Sequence, residues 1–417
     1  MKLSKFGKKF TRDAGIISLM DDLGNALASG EDLIMMGGGN PGFIPEVEAA
    51  FQKRIATMAT DPELIRRSTC IYDPPQGELM FIDSLVRYLN ERYHWGLKRG
   101  NVALTNGSQS AFFMLFNLFA GEQEDGSYKK ILFPLAPEYI GYADSGLCEH
   151  FFVSQKPAIE LIGEHQFKYH VDFDALEITK EIAAICVSRP TNPTGNVLTD
   201  QEIHQLDALA KKYDIPLIID GAYGTPFPQL IFTEAQPVWN ENTLLCLSLS
   251  KLGMPAARTG IIIAREEIIG AVSSVNAIIN LATNSFGAIL ADDLLASGEI
   301  DELCNRYVRP YYQDKAEKAL NELSQLLSGI PFRIHKPEGA MFLWLWLDGL
   351  PISSRELYQR LKKKGVLVVS GDYFFPGIDD PDWPHRHECL RITYSQDDEK
   401  VLRGLRIIAG EIRSLYE

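Results

Sequence analysis

A lysine stands at the end of an apolar run near the middle of the chain, beside two hydroxyl side chains. The run TLLCLSLS covers residues 243–250 and contains Ser248 and Ser250, and Lys251 follows it directly. A lysine amine shielded from water loses proton affinity and becomes a nucleophile near neutral pH, which suits imine formation with a carbonyl compound. Arg258, one loop later, supplies a fixed positive charge for a phosphate. An exposed lysine at a strand end explains the same pattern, so the segment alone leaves both interpretations open.

A carboxylate follows a second apolar run. Asp220 ends the segment IPLIID at residues 215–220, and Tyr223 stands three residues further on. Burying a carboxylate after a strand is costly unless a partner offsets the charge. A protonated ring nitrogen of a cofactor is such a partner, because the pairing keeps the ring cationic and makes it an electron sink. Tyr223 could then donate to a ring oxygen. A helix-capping aspartate is the alternative interpretation.

Two polar segments also follow predicted strands. In SRPTNPTGN (188–196), two prolines and a glycine rigidify a turn and hold Asn192 in a fixed position. In TNGSQSA (105–111), Gly107, Ser108 and Gln109 open a predicted helix, where backbone N–H groups and the helix dipole favour a phosphate. A tight turn and an ordinary serine cap are the simpler interpretations of these two segments.

The elements that would position these residues alternate between short apolar runs and helical patterns. The predicted strands are 131–135, 183–188, 215–220, 243–250 and 259–264, and the predicted helices include 108–120, 200–213 and 265–276. This alternation predicts an α/β fold with a mostly parallel sheet, whose carboxyl ends carry the ligand site. A long helix at about 299–328 precedes a smaller α+β part. We therefore predict a large domain at 48–300 and a small domain at 301–417, which the segment 1–47 joins.

The bulk properties exclude several functional classes. The 417 residues exceed what one hydrophobic core usually serves, which favours two domains. A net charge of −14 argues against nucleic acid or an anionic membrane as a partner. The six cysteines form no CxxC pair and no apolar run is long enough to span a bilayer, so we expect a cytoplasmic protein.

We expect no metal at His385 and His387, which lie in a polar loop. We also expect no dinucleotide at GGGNPG (37–42), because proline removes a backbone donor there.

The order of the motifs resembles that of the fold-type I pyridoxal-phosphate (PLP) aminotransferases. NGSQSA, SRPTNPTG, IIDGAYG, SLSK with Arg258, and LRITY occur in sequence over nearly the whole chain. The resemblance implies an aspartate aminotransferase-like fold, with a seven-stranded-type, mostly parallel sheet in a large PLP-binding domain and a smaller α+β domain. It also implies PLP as the cofactor, amino acids and 2-oxo acids as substrates, and a homodimer.

The same resemblance implies a role for each matching residue. Lys251 would form the imine with PLP, and Asp220 and Tyr223 would complete the catalytic group. The residues implied to bind the cofactor are Gly107, Ser108, Gln109, Tyr139, Asn192, Asp220, Tyr223, Ser248, Lys251, Arg258 and, from the neighbouring subunit, Tyr72. Gly39, Asn192 and Arg391 would bind the substrate carboxylate. Ala256 stands where many relatives have glycine, and an extra proline in CIYDPPQG makes this segment differ from the usual form around Tyr72.

Within the family, several segments are similar to a bacterial branch that exchanges amino groups between valine and pyruvate. These segments are GGGNP, LAPEYIGYAD, SRPTNPTGN and HKPEGA. The closer resemblance implies L-valine and L-alanine as donors, with 3-methyl-2-oxobutanoate and pyruvate as the 2-oxo acids. An aminotransferase of other small or aromatic amino acids and a PLP β-lyase remain alternatives. A non-catalytic sensor is the rival from another class, although the first 40 residues show no basic helix-turn-helix.

Overall fold

The computed structural model describes residues 2–12, 14–29 and 33–416. Its strands are β1 (Ile34–Met35), β2 (Val102–Asn106), β3 (Gly121–Glu122), β4 (Tyr128–Phe133), β5 (Phe152–Ser154), β6 (Ala158–Ile162), β7 (Gln166–His170), β8 (Ile182–Ser188), β9 (Leu217–Asp220), β10 (Thr243–Ser248), β11 (Thr259–Ile263), β12 (Arg333–His335), β13 (Phe342–Trp346), β14 (Val366–Leu367), β15 (Val369–Ser370) and β16 (Cys389–Thr393).

The helices alternate with these strands through most of the chain. They are α1 (Lys5–Phe10), α2 (Gly15–Ser29), α3 (Pro45–Thr60), α4 (Pro62–Thr69), α5 (Leu79–Tyr93), α6 (Ser108–Phe119), α7 (Asp200–Lys212), α8 (Glu266–Asn280), α9 (Phe286–Ala296), α10 (Glu299–Glu302), α11 (Arg309–Leu326), α12 (Ser354–Lys363), α13 (Pro384–His387) and α14 (Asp398–Tyr416). A π-helical turn at Leu303–Val308 joins α10 to α11, so one continuous helical stretch occupies the position predicted for the long helix.

The larger sheet has the strand order β2-β11-β10-β9-β8-β4-β3, and β5 pairs with β4. The strands β10, β9, β8, β4 and β5 run parallel to one another. The apolar runs of β8 and β10 are buried on both faces, as expected for a parallel sheet covered by helices. The predicted α/β fold with a mostly parallel sheet is confirmed. Seven strands form its main body, and the two-residue β3 adds an edge.

The strand β11 departs from the parallel direction. It runs antiparallel to both β10 and β2. Only residues 249–258 connect β10 to β11, and a parallel return needs a crossover of roughly a dozen residues or more. The short connection, which contains Lys251 and Arg258, therefore forces the chain to turn back beside β10. This turn places both side chains at the carboxyl end of β10.

The second sheet has the order β15-β16-β13-β12-β7-β6. Its strands β6 and β7 come from residues 158–170, whereas the others follow residue 332. The strand β1 pairs in parallel with β14, and Met36 accepts a hydrogen bond from the Thr393 backbone at 2.8 Å. The chain therefore contributes to this sheet from both sides of residue 300. The division at residues 47 and 300 stays a prediction.

His385 and His387 lie in the short helix α13 and not in a polar loop, so that part of the prediction is wrong. Both histidines bond to side chains of the protein. His385 is buried and contacts the hydroxyl of Tyr169, and His387 bonds to Asp372. Within the described ranges, we find no group of three or more histidine, cysteine or acidic side chains placed to share a metal ion. In the same ranges, none of the helices combines the length and apolar character needed to cross a bilayer.

Candidate active site

A cleft of about 490 Å³ opens at the carboxyl ends of β8, β9 and β10. Eleven of the predicted site residues line it: Gly39, Ser108, Gln109, Tyr139, Asn192, Asp220, Tyr223, Ser248, Lys251, Arg258 and Arg391. Parallel strands end at one edge of the sheet, so residues distant in sequence meet there. The structure thus brings together most of the residues that sequence reasoning selected. Gly107 lies just behind this lining, and Tyr72 lies outside the cleft.

Lys251 sits in a short 3-10 turn that begins directly after β10. Its amine donates a hydrogen bond to the carbonyl oxygen of Gly39 at 2.6 Å and lies 5.3 Å from the ring centre of Tyr223. Burial, together with the positive charges of Arg391 and Arg258, lowers the pKa of the Lys251 amine to about 8. Lys251 is therefore far more nucleophilic at neutral pH than a surface lysine. Gly39 is predicted to bind the substrate carboxylate, and the contact that it makes with Lys251 uses its carbonyl oxygen.

Asp220 ends β9, in register with Ser188 on β8 and Cys246 on β10. One carboxylate oxygen accepts the Ala222 backbone N–H at 2.9 Å, and the other accepts the hydroxyl of Tyr142. Burial raises the pKa of Asp220, and both hydrogen bonds oppose this rise. Turns follow Asp220 rather than a helix, so the helix-cap interpretation is wrong. The aspartate is instead a partly buried acceptor at the floor of the cleft.

A positive region forms where α6 begins. Gly107 caps α6 with a φ of 83°, a left-handed conformation that favours glycine. A side chain there would collide with Arg258, because an added Cβ would lie 2.2 Å from its guanidinium. The arginine therefore packs directly on the glycine, beside the backbone N–H groups of Ser108 and Gln109 in the first turn of α6. The N-terminus of α6 and the guanidinium of Arg258 together attract an anion such as a phosphate.

Two other polar side chains, those of Gln109 and Ser248, fix the backbone of the cleft near the start of α6. The Gln109 amide donates to the carbonyl of Gly141 at 2.8 Å, which fixes the loop that carries Tyr139. The Ser248 hydroxyl accepts the Ser250 N–H at 3.1 Å, which shapes the turn before Lys251. Both residues line the cleft.

Arg391 lies on β16 and is almost completely buried, with 2% of its surface exposed. Its guanidinium donates to the Asn192 side-chain oxygen at 2.7 Å and to the carbonyl of Gly37 at 2.6 Å. It lies 4.4 Å from the ring centre of Phe342 and 5.2 Å from that of Phe374. Burial lowers the pKa of Arg391 to about 10, so the group stays cationic at neutral pH. Its Nε has no hydrogen-bond partner among the described residues. A buried guanidinium with a spare donor fits a carboxylate ligand.

This set of donors and acceptors fits PLP and an amino acid. Lys251 would offer an amine to the aldehyde, Asp220 an acceptor to the ring nitrogen, and Arg258 with the start of α6 a positive site for the phosphate. Arg391 would remain for the substrate carboxylate. Tyr72 is 81% exposed in the single chain. This exposure is expected of a residue that acts on another subunit.

Sequence reasoning missed three residues of this site. Tyr142 holds Asp220, Gly37 accepts from Arg391, and Glu138 lies fully buried against Ser188. Glu138 and Tyr142 belong to LAPEYIGYAD, the segment from which only Tyr139 was selected. The signal available was its density of polar side chains directly after a predicted buried strand.

Comparison with known proteins identifies the family. A family model described as aminotransferase class I and II matches residues 34–408. The chain belongs to this aminotransferase family. Its membership confirms the prediction that the protein is a PLP-dependent aminotransferase of fold type I.

This aminotransferase has close relatives of known sequence and structure. The valine–pyruvate aminotransferase of Escherichia coli K12 is 51% identical over 421 residues, which cover 100% of this chain and 99% of the relative. A putative amino-acid aminotransferase from Psychrobacter arcticum 273-4 is 48% identical, with a TM-score of 0.97 over 100% of this chain and 99% of the other. A valine–pyruvate aminotransferase from Salmonella typhimurium LT2 is also 48% identical, with a TM-score of 0.88 over 96% and 99% of the two chains.

Proposed function

We propose that this aminotransferase is a valine–pyruvate aminotransferase. It transfers the amino group between L-valine or L-alanine and the 2-oxo acids pyruvate and 3-methyl-2-oxobutanoate. The observation that carries the proposal is the 51% identity, over the full length of both chains, to the E. coli enzyme of that name. The Salmonella enzyme of the same name, 48% identical, supports it independently through its structure.

The walls of the cleft suit a small apolar side chain. Ile16, Leu19 and Met20 of α2, together with Met35, line the cleft beside the polar residues. Among the described lining residues the arginines are Arg258 and Arg391, and these face the phosphate and the substrate carboxylate. A second carboxylate on the substrate would find no arginine of its own there. The lining therefore favours valine and alanine over aspartate and glutamate.

The chain's own residues account for the proton transfers of such a reaction. PLP supplies the carbonyl group and an electron-withdrawing ring. Lys251, with a pKa of about 8, can both accept and release a proton at Nζ near neutral pH. Asp220 offers its carboxylate to the ring nitrogen, and Tyr142 keeps that carboxylate oriented. Arg391 and Asn192 fix the substrate carboxylate, which sets the direction in which the Cα proton faces Lys251.

The enzyme is further proposed to work as a homodimer, with Tyr72 reaching the partner's phosphate site. An apolar surface around the end of α8 supports this assembly, because Ile278 is 86% and Leu281 67% exposed in the single chain. A patch of this kind fits a second copy of the chain, which would also bury the exposed Tyr72.

A cytoplasmic location is proposed from the cysteines. All six are free thiols. Four of them, Cys186, Cys246, Cys304 and Cys389, are buried as small apolar side chains. A reducing compartment explains this use of cysteine.

A panel of amino donors with pyruvate as the acceptor tests the proposed reaction. The purified holoenzyme should convert valine to 3-methyl-2-oxobutanoate and produce alanine, with aspartate, glutamate and aromatic donors much slower. Lys251→Ala, prepared in parallel, serves as the inactive control. If valine is not turned over while another donor is, the substrate assignment is wrong. Release of pyruvate from a donor without any acceptor would favour the β-lyase, and a protein that binds no cofactor would favour the sensor.

A further inference from the structure

A second buried carboxyl group lies beside the cleft and has no role in the reaction described above. Glu138 is 0% exposed. One oxygen accepts the Ser188 backbone N–H at 2.9 Å, and the other accepts the Ser188 hydroxyl at 2.6 Å and the Tyr139 N–H at 3.3 Å. The backbone N–H of Glu138 donates to the carbonyl of Phe374 at 2.8 Å. The residue is thus held on three sides.

These contacts connect three parts of the active site. Ser188 pairs in register with Asp220, so one contact reaches the end of the strand that carries this aspartate. Tyr139 adjoins Glu138 and lines the cleft. The ring of Phe374 packs 5.2 Å from the guanidinium of Arg391. Movement of Glu138 would therefore disturb both the tyrosine ring and the arginine that receives the substrate carboxylate.

Glu138 forms no ion pair with any lysine, arginine or histidine of the described residues. The titratable groups around it are Asp220 at the end of β9, Tyr142 in the 139–142 loop and Cys186 on β8. Burial and the charge of Asp220 raise the pKa of Glu138 to about 8, against the hydrogen bonds from Ser188 and Tyr139. When two carboxyl groups share a buried site, one keeps its proton.

We propose that Glu138 is a positioning residue whose carboxyl group is a neutral acid. Its O–H donates to the Ser188 oxygen, which reverses the direction of that hydrogen bond, and the group fixes the Tyr139 loop against the end of β8. This inference rests on the proposed function, because it concerns the same cleft. It assigns to Glu138 the placement of the Tyr139 ring over the cofactor and, through Phe374, of Arg391 over the substrate carboxylate. Asp220 then carries the negative charge of the pair.

The test compares Glu138→Gln and Glu138→Ala holoenzymes with the wild type. A glutamine accepts the Ser188 N–H and donates to the Ser188 hydroxyl, so Glu138→Gln should keep the KM for the amino acid and the Kd for PLP within about threefold of the wild type. Glu138→Ala leaves the Ser188 donors buried without an acceptor, and should raise both constants by about tenfold or more. Glu202→Ala is the matched control, since Glu202 is also buried and accepts from the Val171 and Thr199 backbone, away from the cleft. It should lower Tm and leave both constants unchanged.

The pH profile gives a second measurement that does not depend on the alanine variant folding. In the wild type, Glu138 loses its proton as the pH rises through about 8, and the new charge beside Asp220 should raise the KM for the amino acid. This rise should be absent from Glu138→Gln. The proposal that Glu138 is a neutral acid would be overturned by identical pH profiles of the KM in the wild type and Glu138→Gln. It would also be overturned if Glu138→Gln were as impaired as Glu138→Ala. A wild-type KM in Glu138→Ala would overturn the positioning role. These comparisons use whichever donor the wild type turns over, so they remain valid if the assignment to valine fails.

Discussion

The amine of Lys251 donates a 2.6 Å hydrogen bond to the backbone carbonyl of Gly39, 212 residues earlier in the chain. Gly39 follows β1, which pairs with β14 beside the second sheet. Lys251, at the end of a strand of the large sheet, is therefore in direct contact with a segment that packs beside the second sheet. A Cβ on residue 39 would lie 3.4 Å from the amine, whereas a Cβ on Gly37 would lie 2.9 Å from the carbonyl oxygen of Val368. Close backbone packing therefore accounts for the glycine at position 37 without a dinucleotide site.

The lowered pKa of Lys251 predicts the pH dependence of its reactivity in the apoenzyme. Only the neutral amine attacks a carbonyl group, and its fraction rises with pH until the pKa is passed. With a pKa of about 8, roughly one tenth of Lys251 is neutral at pH 7, against far less than one hundredth for an ordinary lysine. Labelling with a small aldehyde and borohydride, followed by peptide mass analysis, should show a rate at Lys251 that levels off above about pH 8.

An internal control for this experiment is Lys98, whose side chain is 78% exposed. If Lys251 follows the same curve as Lys98, the cleft does not lower its pKa. Substitution of Arg391 or Arg258 by methionine should shift the Lys251 curve to higher pH, because each removes a positive charge that disfavours the ammonium ion.

The hydroxyl of Tyr142 should contribute to turnover through Asp220. Tyr142→Phe removes a hydrogen bond that opposes the rise in the Asp220 pKa, so more of the aspartate is protonated. Fewer molecules then carry the negative charge that is proposed to face the ring nitrogen. We expect kcat to fall by roughly 30-fold, which corresponds to the loss of one hydrogen bond to a charged group, about 2 kcal/mol. The fall should grow as the pH is lowered, because acid further protonates Asp220.

Tyr128→Phe is the matched control for this prediction. The Tyr128 hydroxyl donates to the Glu149 carbonyl at 2.8 Å in an exposed region, outside the cleft. Its loss should leave kcat unchanged at every pH. Equal kcat values for Tyr142→Phe and the wild type at low pH would show that Asp220 keeps its charge without the tyrosine.

The sequence allowed much of the fold and of the site to be predicted, for a physical reason. Strands buried on both faces read as continuous apolar runs, and the polar residues directly after them must lie at one edge of the sheet. Asp220, Asn192 and Lys251 were found in this way. The membership of β6 and β7 in the second sheet was not predictable, because pairing between distant strands leaves no local pattern. Glu138 and Gly37 were not predicted for a similar reason. Their roles come from contacts with Ser188 and Arg391, which lie 50 and 354 positions away in the sequence.

Replacement of Arg391 by lysine should weaken amino-acid binding. Lysine carries the same charge but lacks the planar fork that reaches Asn192, Gly37 and a substrate carboxylate at once. The loss of one charged hydrogen bond, about 2 kcal/mol, corresponds to a roughly 30-fold higher KM for the amino acid. The Kd for PLP should stay unchanged, because the implied phosphate site lies at Arg258 and the start of α6. Arg406→Lys, at a side chain that is 63% exposed, should leave the KM unaltered, and an unaltered KM in Arg391→Lys would place the substrate carboxylate elsewhere.

Mixed dimers offer a direct test of whether Tyr72 acts on the partner subunit. Lys251→Ala and Tyr72→Ala homodimers should each be impaired, the first in every site and the second through a weakened phosphate contact. In a heterodimer of the two variants, the subunit that retains Lys251 receives an intact Tyr72 from its Lys251→Ala partner. One site is then complete, so mixing the two proteins under subunit-exchange conditions should raise activity above the sum of the separate homodimers. If Tyr72 served its own subunit, every site of the heterodimer would keep one defect, and mixing would restore nothing. Size-exclusion chromatography with light scattering establishes the dimer first, and a monomer at working concentration would refute the arrangement before any mixing is attempted.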